Sequence, residues 1–164
     1  MDLSTLPDLL DKAITLGTFA SVWAVLAVGH NLADHVIGQT DHQADHKAAP
    51  SEAEVAEGAN PRRGWGACLA HVTQYHLVMG AMVALVWAVL PLRISWPGLA
   101  AGLAVSIVTH AFLDRRWPVR WLLEHIGSKG FADLKAAGMN GMYLTDQALH
   151  QTALLVSALL IARL

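Results

Sequence analysis

Three His–Asp pairs at four-residue spacing stand near the ends of apolar segments: His30/Asp34, His110/Asp114 and Asp146/His150. A further apolar segment carries His71 in a matching place. Four residues is about one helical turn, so each pair shares a helix face with Cβ atoms roughly 5–6 Å apart. Imidazole and carboxylate without sulfur is a donor set suited to zinc, iron or manganese. His30, Asp34, His71, His110, Asp114, Asp146 and His150 are therefore the candidate ligands, with zinc the leading ion. They outnumber the three or four protein ligands of one zinc ion. Either two ions bind, or some groups orient the ligands from behind. Three other readings compete: hydrogen bonding between helices that fixes their register, a proton or ion pathway, and haem ligation by His71 and His150, which leaves the aspartates unexplained.

The elements that must carry these groups are apolar. Hydrophobic residues make up 54% of the 164 positions and charged residues 15%, against ~25% charged in soluble domains. Four segments, at about 14–37, 65–90, 97–113 and 141–162, are near the ~20 residues that cross a ~30 Å hydrocarbon core. The expected fold is all-α: a single integral membrane domain over 1–164, a four-helix bundle running up-down-up-down. That alternation brings all seven groups to one end. His30 lies roughly 10 Å inside the 37 end of its segment and His71 roughly 9 Å inside the 65 end, at ~1.5 Å rise per residue. The start Met1-Asp2-Leu3-Ser4 lacks the basic region of a secretory signal, so the first apolar stretch is expected to be a retained span.

Lys47, Arg62 and Arg63 fall in the first connection, and Arg115, Arg116, Arg120, Lys129 and Lys135 in the third. Only Lys12, Arg93 and Arg163 lie on the opposite side. The positive-inside rule places the two basic connections in the cytoplasm, with both termini outward, in the inner membrane. The Ala/Glu/Pro-rich stretch 48–61 is expected to be mobile. The segment 117–131 mixes Trp and Leu with Arg and Lys and is expected to lie on the inner leaflet as an interfacial helix. Gly98, Gly102, Ser106, His110 and Asp114 form one four-residue ridge, and small residues let helix backbones approach closely.

A net charge of -2 makes no case for nucleic acid. The single cysteine, Cys68, excludes an internal disulfide and a thiolate-rich metal site. Ionised aspartates inside a membrane cost about 2.5–3.5 kcal/mol each at mid-helix, and a divalent cation would offset that. The expected partner is the lipid bilayer. The expected activity is metal-assisted hydrolysis of a lipid-linked or membrane-proximal substrate, with Asp41 or Asp146 as general base. Gln39, Arg115 and Arg116 are the candidate substrate contacts, Arg by its planar fork for phosphate. The alternatives are a non-catalytic protein that binds or moves metal ions or protons, and a structural membrane partner. Nearly apolar outer halves, such as Val83-Ala84-Leu85-Val86, argue against a continuous pathway.

The stretch Gly29-His30-Asn31-Leu32-Ala33-Asp34-His35-Val36-Ile37-Gly38-Gln39-Thr40-Asp41 resembles a family of small bacterial and phage membrane proteins, that of domain of unknown function 3307. His30, Asp34, Gln39, Asp41 and Lys47 match its first block. His71 and the His110/Asp114 pair look like its later blocks. His35 stands where an aromatic is common, and the first connection is longer and more acidic. The resemblance implies an integral membrane protein and no particular activity. A looser similarity is to membrane proteins labelled metal-dependent hydrolases.

Overall fold

A computed structural model describes residues 3–126 and 128–164. Among these, eight α-helices and one two-stranded hairpin follow a short 3₁₀ turn at Leu3–Thr5. The long helices are α1 (Leu6–His35), α4 (Trp65–Val89), α5 (Trp96–Leu113) and α8 (Gly141–Arg163). The connections carry α2 (Asp41–His46), α3 (Glu52–Ala56), α6 (Trp117–His125), α7 (Lys129–Ala132) and the hairpin β1 (Lys135–Ala136) with β2 (Met139–Asn140).

Three helices, α1, α4 and α5, are long and apolar enough to cross a membrane. The fourth expected span, α8, does not join them. Its first twelve residues carry Thr145, Asp146, Gln147, His150, Gln151 and Thr152, which leaves a short apolar stretch after them. These three helices bury only a third or less of their most apolar windows. Leu77, Leu85, Val89, Val28 and Val108 are exposed on their outer surfaces. Contiguous exposed apolar surface of this extent marks contact with something other than water.

Packing follows the small-residue ridge. On α5, Gly98, Gly102, Ser106 and His110 are all buried, and α5 packs along α8. A Cβ at Gly102 would stand 2.8 Å from the Ser157 carbonyl oxygen, and one at Gly98 3.0 Å from that of Ile161. Helix α1 packs on both α4 and α8, while α4 and α5 touch only sparsely. Val22, Val25, Leu26, Tyr75, Met79, Leu154 and Ile161 fill the space between the helices.

Helix α1 starts earlier than expected, with Pro7 in its first turn, and ends sooner. The chain doubles back at Gly38, where a Cβ would collide with the Ala33 carbonyl oxygen at 2.1 Å. Thr40 then opens α2 by a capping box: its hydroxyl accepts from the Gln43 N–H, and the Gln43 side chain accepts from the Thr40 N–H. Asp41 and Asp45 therefore do not extend the Asp34 face, because the helix that would carry them is broken. The first connection is not a free loop either. Ser51 opens α3 by a second capping box. Arg115 fastens this connection, donating to the carbonyl oxygens of Lys47 (2.7 Å) and Arg63 (2.6 Å) with its guanidinium over Trp65.

Candidate metal centre

Each long helix contributes from the end nearest the α2–α3 connection. His30 and Asp34 come from the last turns of α1, His71 from the second turn of α4, His110 from the last turn of α5 with Asp114 as its C-cap, and His150 from the third turn of α8. All six are buried. Asp34, His71 and His110 form one group that can hold a metal ion, and His110, Asp114 and His150 form another.

Hydrogen-bond chemistry fixes most of the ring orientations. The His71 Nδ1 lies 3.1 Å from the Gly38 carbonyl oxygen, which only accepts, so Nδ1 donates. Its Nε2 then faces the centre: 3.0 Å from Asp34 Oδ1, 3.1 Å from His110 Nε2 and 3.4 Å from Asp114 Oδ2. His110 Nε2 is 3.2 Å from the same Asp114 oxygen, yet that oxygen makes no hydrogen bond. Three polar atoms thus surround the His71 Nε2 within 3.4 Å. Four donors about 2.0–2.1 Å from a tetrahedral ion would be about 3.3 Å apart. His150 repeats the pattern. Its Nδ1 donates to the Asp146 carbonyl oxygen at 2.9 Å, and its buried Nε2 has no partner. A backbone carbonyl on one ring nitrogen, leaving the other as a lone pair, is the usual setting of a ligating histidine.

His30 and Asp146, expected among the ligands, stand beside these groups. The Asp34 carboxylate can only accept, so Gln147 turns its amide nitrogen to Asp34 Oδ2 (3.1 Å) and its oxygen to His30 Nε2 (2.9 Å). His30 must then donate from Nε2 and accept from the Tyr75 hydroxyl at Nδ1 (2.9 Å). Both its nitrogens are occupied. It stacks on His150, ring centroids 5.4 Å apart. Asp146 Oδ1 is buried without a partner, and its Oδ2 lies 3.6 Å from His150 Nδ1.

Lys47 completes the charge pattern. Its Nζ lies 2.9 Å from Asp114 Oδ1 and 3.6 Å from Asp34 Oδ1, with the side chain only 9% exposed. One ammonium pairs with Asp34 and Asp114, and Asp146 lines the same cleft, so a divalent cation would bring the three carboxylates and the ammonium near neutrality. Buried charges persist only when compensated in this way.

A cleft of about 740 Å³ opens above the carboxylates, lined by Asp34, Asp114, Asp146, Lys47, Gln147 and Tyr143 among others. The expected substrate contacts divide there. Gln39 lines the cleft, donates to the Asp34 carbonyl oxygen (3.0 Å) and keeps a buried unpartnered Oε1. Arg116 lines it and is exposed. Arg115 also borders it, but its guanidinium is spent on the two backbone carbonyls, which leaves it a structural clamp. Asp41 is exposed in the first turn of α2 and lies outside both the cleft lining and the metal groups.

Sequence reasoning passed over Tyr75 and counted Lys47 only as a topology charge and a motif match. A lysine in a polar connection gives no sign of burial. Tyr75 is four residues from His71 on α4, and that spacing on the ligand face was a usable signal. Comparisons with family models, curated proteins and solved structures found no match to this chain.

Proposed function

We propose that this chain is an inner-membrane metal-binding protein, an up-down-up-down four-helix bundle whose centre hydrolyses a lipid-linked or membrane-proximal substrate. The observation that carries the metal is the His71 Nε2, turned by Gly38 toward two carboxylate oxygens and a second imidazole nitrogen. Lone pairs at that spacing repel unless a proton or a cation lies between them. Three imidazoles and two carboxylates favour zinc, with iron or manganese as alternatives. The two groups share His110, and we read them as one centre with more donors than it needs.

The cleft supports hydrolysis. A bound divalent ion lowers the pKa of water toward ~7. Asp146, with one oxygen free and within the cleft, is placed to take the proton. Gln39 and Arg116 border the space a substrate would fill. The basic first and third connections and the exposed Trp117 and Trp121 of α6 support a cytoplasmic cleft with α6 lying at the interface. That orientation puts both termini outward. Kinship with the family of domain of unknown function 3307 belongs to the same proposal: of its motif, Lys47 stands 3.6 Å from the Asp34 carboxylate, Gln39 bonds the Asp34 backbone carbonyl and His30 reaches Asp34 through Gln147, while Asp41 stands apart.

Metal analysis of detergent-purified protein tests this. About one equivalent of a transition metal is expected in the parent and in His42→Ala, whose side chain is exposed, and loss of it in His71→Ala. Asp146→Asn should keep the ion and lose turnover on membrane-lipid extracts. A folded, metal-free parent that takes up no added zinc would overturn the reading. Lys47 favours a second one in that event: a metal-free network in which His71 is protonated and Lys47⁺ holds the two aspartates.

A further inference from the structure

Five cations line the cleft above the metal centre: Lys47, Arg115, Arg116, Arg120 and Lys135. Lys47 is paired with Asp34 and Asp114, and Arg120 with Glu124 and Asp133. Glu54, which also lines the cleft, is paired with Arg63 from outside it. Among the described residues, Arg115, Arg116 and Lys135 have no carboxylate within ion-pair distance; the two arginines bond only backbone carbonyls. We propose that the cleft takes a phosphate monoester, its phosphoryl group held over the centre by Arg116 and Lys135. This names the substrate class of the hydrolase reading above and rests on it.

Charge selects the occupant. Asp34, Asp114 and Asp146 are balanced by Lys47 and a divalent ion, so the cations without partners set the charge of the guest. A phosphate monoester carries about −1.5 to −2 at pH 7. A diester carries less, and a carboxyl ester or amide carries none. A concave site lined by one sign of uncompensated charge concentrates the opposite sign. Arg115 supplies field and no contact, because its guanidinium is pinned on the Lys47 and Arg63 carbonyl oxygens.

Local structure presents the two contacts. Arg116 stands between the clamped Arg115 and the start of α6 with φ 63°, a region that residues other than glycine rarely adopt. Such a backbone persists where its surroundings over-determine it, as at ligand clamps. The Arg116 guanidinium makes one long hydrogen bond, 3.3 Å to the Ala44 carbonyl oxygen, and is exposed. Its planar fork is left to grip two phosphoryl oxygens. Lys135 is exposed on the β1–β2 hairpin, paired in register with Asn140 beside the start of α8. Arg62 and Lys129 are as basic and lie outside the cleft lining. In the reaction, the oxygen of a water joins phosphorus and the bond from phosphorus to the ester oxygen breaks. Asp146 takes the proton of that water and passes it to the departing alkoxide, giving an alcohol and inorganic phosphate.

The test uses the full chain, zinc-loaded, in phosphatidylcholine nanodiscs. Phosphate release is measured from p-nitrophenyl phosphate in solution and, separately, from phosphatidic acid within the disc. Release from one or both is expected; the lipid alone assigns a headgroup, and the nitrophenyl ester alone a soluble monoester. Arg116→Ala and Lys135→Ala should each raise KM about tenfold or more, the effect of losing one charged hydrogen bond, with metal content unchanged. Arg62→Ala, which removes the same charge outside the cleft, should leave KM as it is. Calorimetric titration of inorganic phosphate into zinc-loaded Asp146→Asn should show the same losses of affinity on adding Arg116→Ala or Lys135→Ala. Turnover confined to bis(p-nitrophenyl) phosphate or p-nitrophenyl acetate overturns the inference and leaves the hydrolase reading standing. So does a KM unmoved by Arg116→Ala and Lys135→Ala, or moved equally by Arg62→Ala. Phosphate binding that depends on Arg116 in a protein without turnover supports the anion site and defeats the hydrolase reading instead.

Discussion

The two ends of the long helices solve opposite problems. At the connection-rich end, imidazoles, carboxylates, an amide and an ammonium lie together, and both ring nitrogens of His30 and of His71 are tied to named partners. At the far end, α5 and α8 meet through glycines against bare backbone, with Ile161 and Leu154 packed between the helices. The first end is specified by hydrogen-bond direction, the second by shape. Disturbing one should therefore leave the other's signature readable.

The largest effect is expected at the polar end. Asp114→Ala removes the Lys47 partner at 2.9 Å and leaves a buried ammonium with only the more distant Asp34. Breaking a buried pair costs about 3–5 kcal/mol. Unfolding in mixed micelles should show that loss, and metal content should vanish with it. A stable, metal-loaded variant would put the aspartate outside the centre.

Gly102→Leu attacks the far end. The new side chain must displace Ile161 or push α5 from α8, at about 1–3 kcal/mol. Stability should fall while metal per folded molecule holds. Loss of metal alongside would show that the ends are coupled through the α5–α8 contact.

Tyr75→Phe is a smaller cut. It deletes the hydroxyl that donates to His30 Nδ1, a neutral hydrogen bond worth about 1 kcal/mol. The ion should remain but bind more weakly, as expected when a group behind the ligands is removed. Competition with a chromogenic chelator would measure it, and an unchanged affinity would confine Tyr75 to packing.

The smallest effect lies outside both ends. Hydrogen bonds from Ser51 and Arg63 hold the exposed Glu54 carboxyl down at about 2. A depressed carboxylate contributes stability above its unfolded value, and that contribution is lost as pH falls toward about 2. Carboxyl carbon chemical shifts should follow this titration, and Arg63→Ala should move it upward. A Glu54 that titrates at the ordinary ~4.3 would show that the α3 cap does not hold.

Much of this contrast was legible in residue order. His30/Asp34, His71, His110/Asp114 and His150 lie at helix ends that alternate along the chain, and apolar runs long enough to span are visible without coordinates. The Gly98–Gly102–Ser106 ridge announced its close contact. The boundaries were less legible: α1 was placed too late, and α8 too generously among the spans, because its first turns carry the polar groups of the site. Thr40 with Gln43 and Ser51 with Glu54 are readable capping boxes, and the second gives a short helix inside the stretch 48–61, where composition alone argues disorder.

Spacing determined which residues share a helix face, because the helical period is a local property of the backbone. Residue order likewise determined that three helices are apolar enough to cross a membrane, since apolar length is additive along the chain. Only the folded packing decided which donors converge. Ring orientation depends on carbonyls and amides distant in sequence, Gly38 for His71 and Gln147 for His30. The same holds for Lys47, drawn inward by carboxylates on α1 and α5 that no count of neighbouring residues could bring to it.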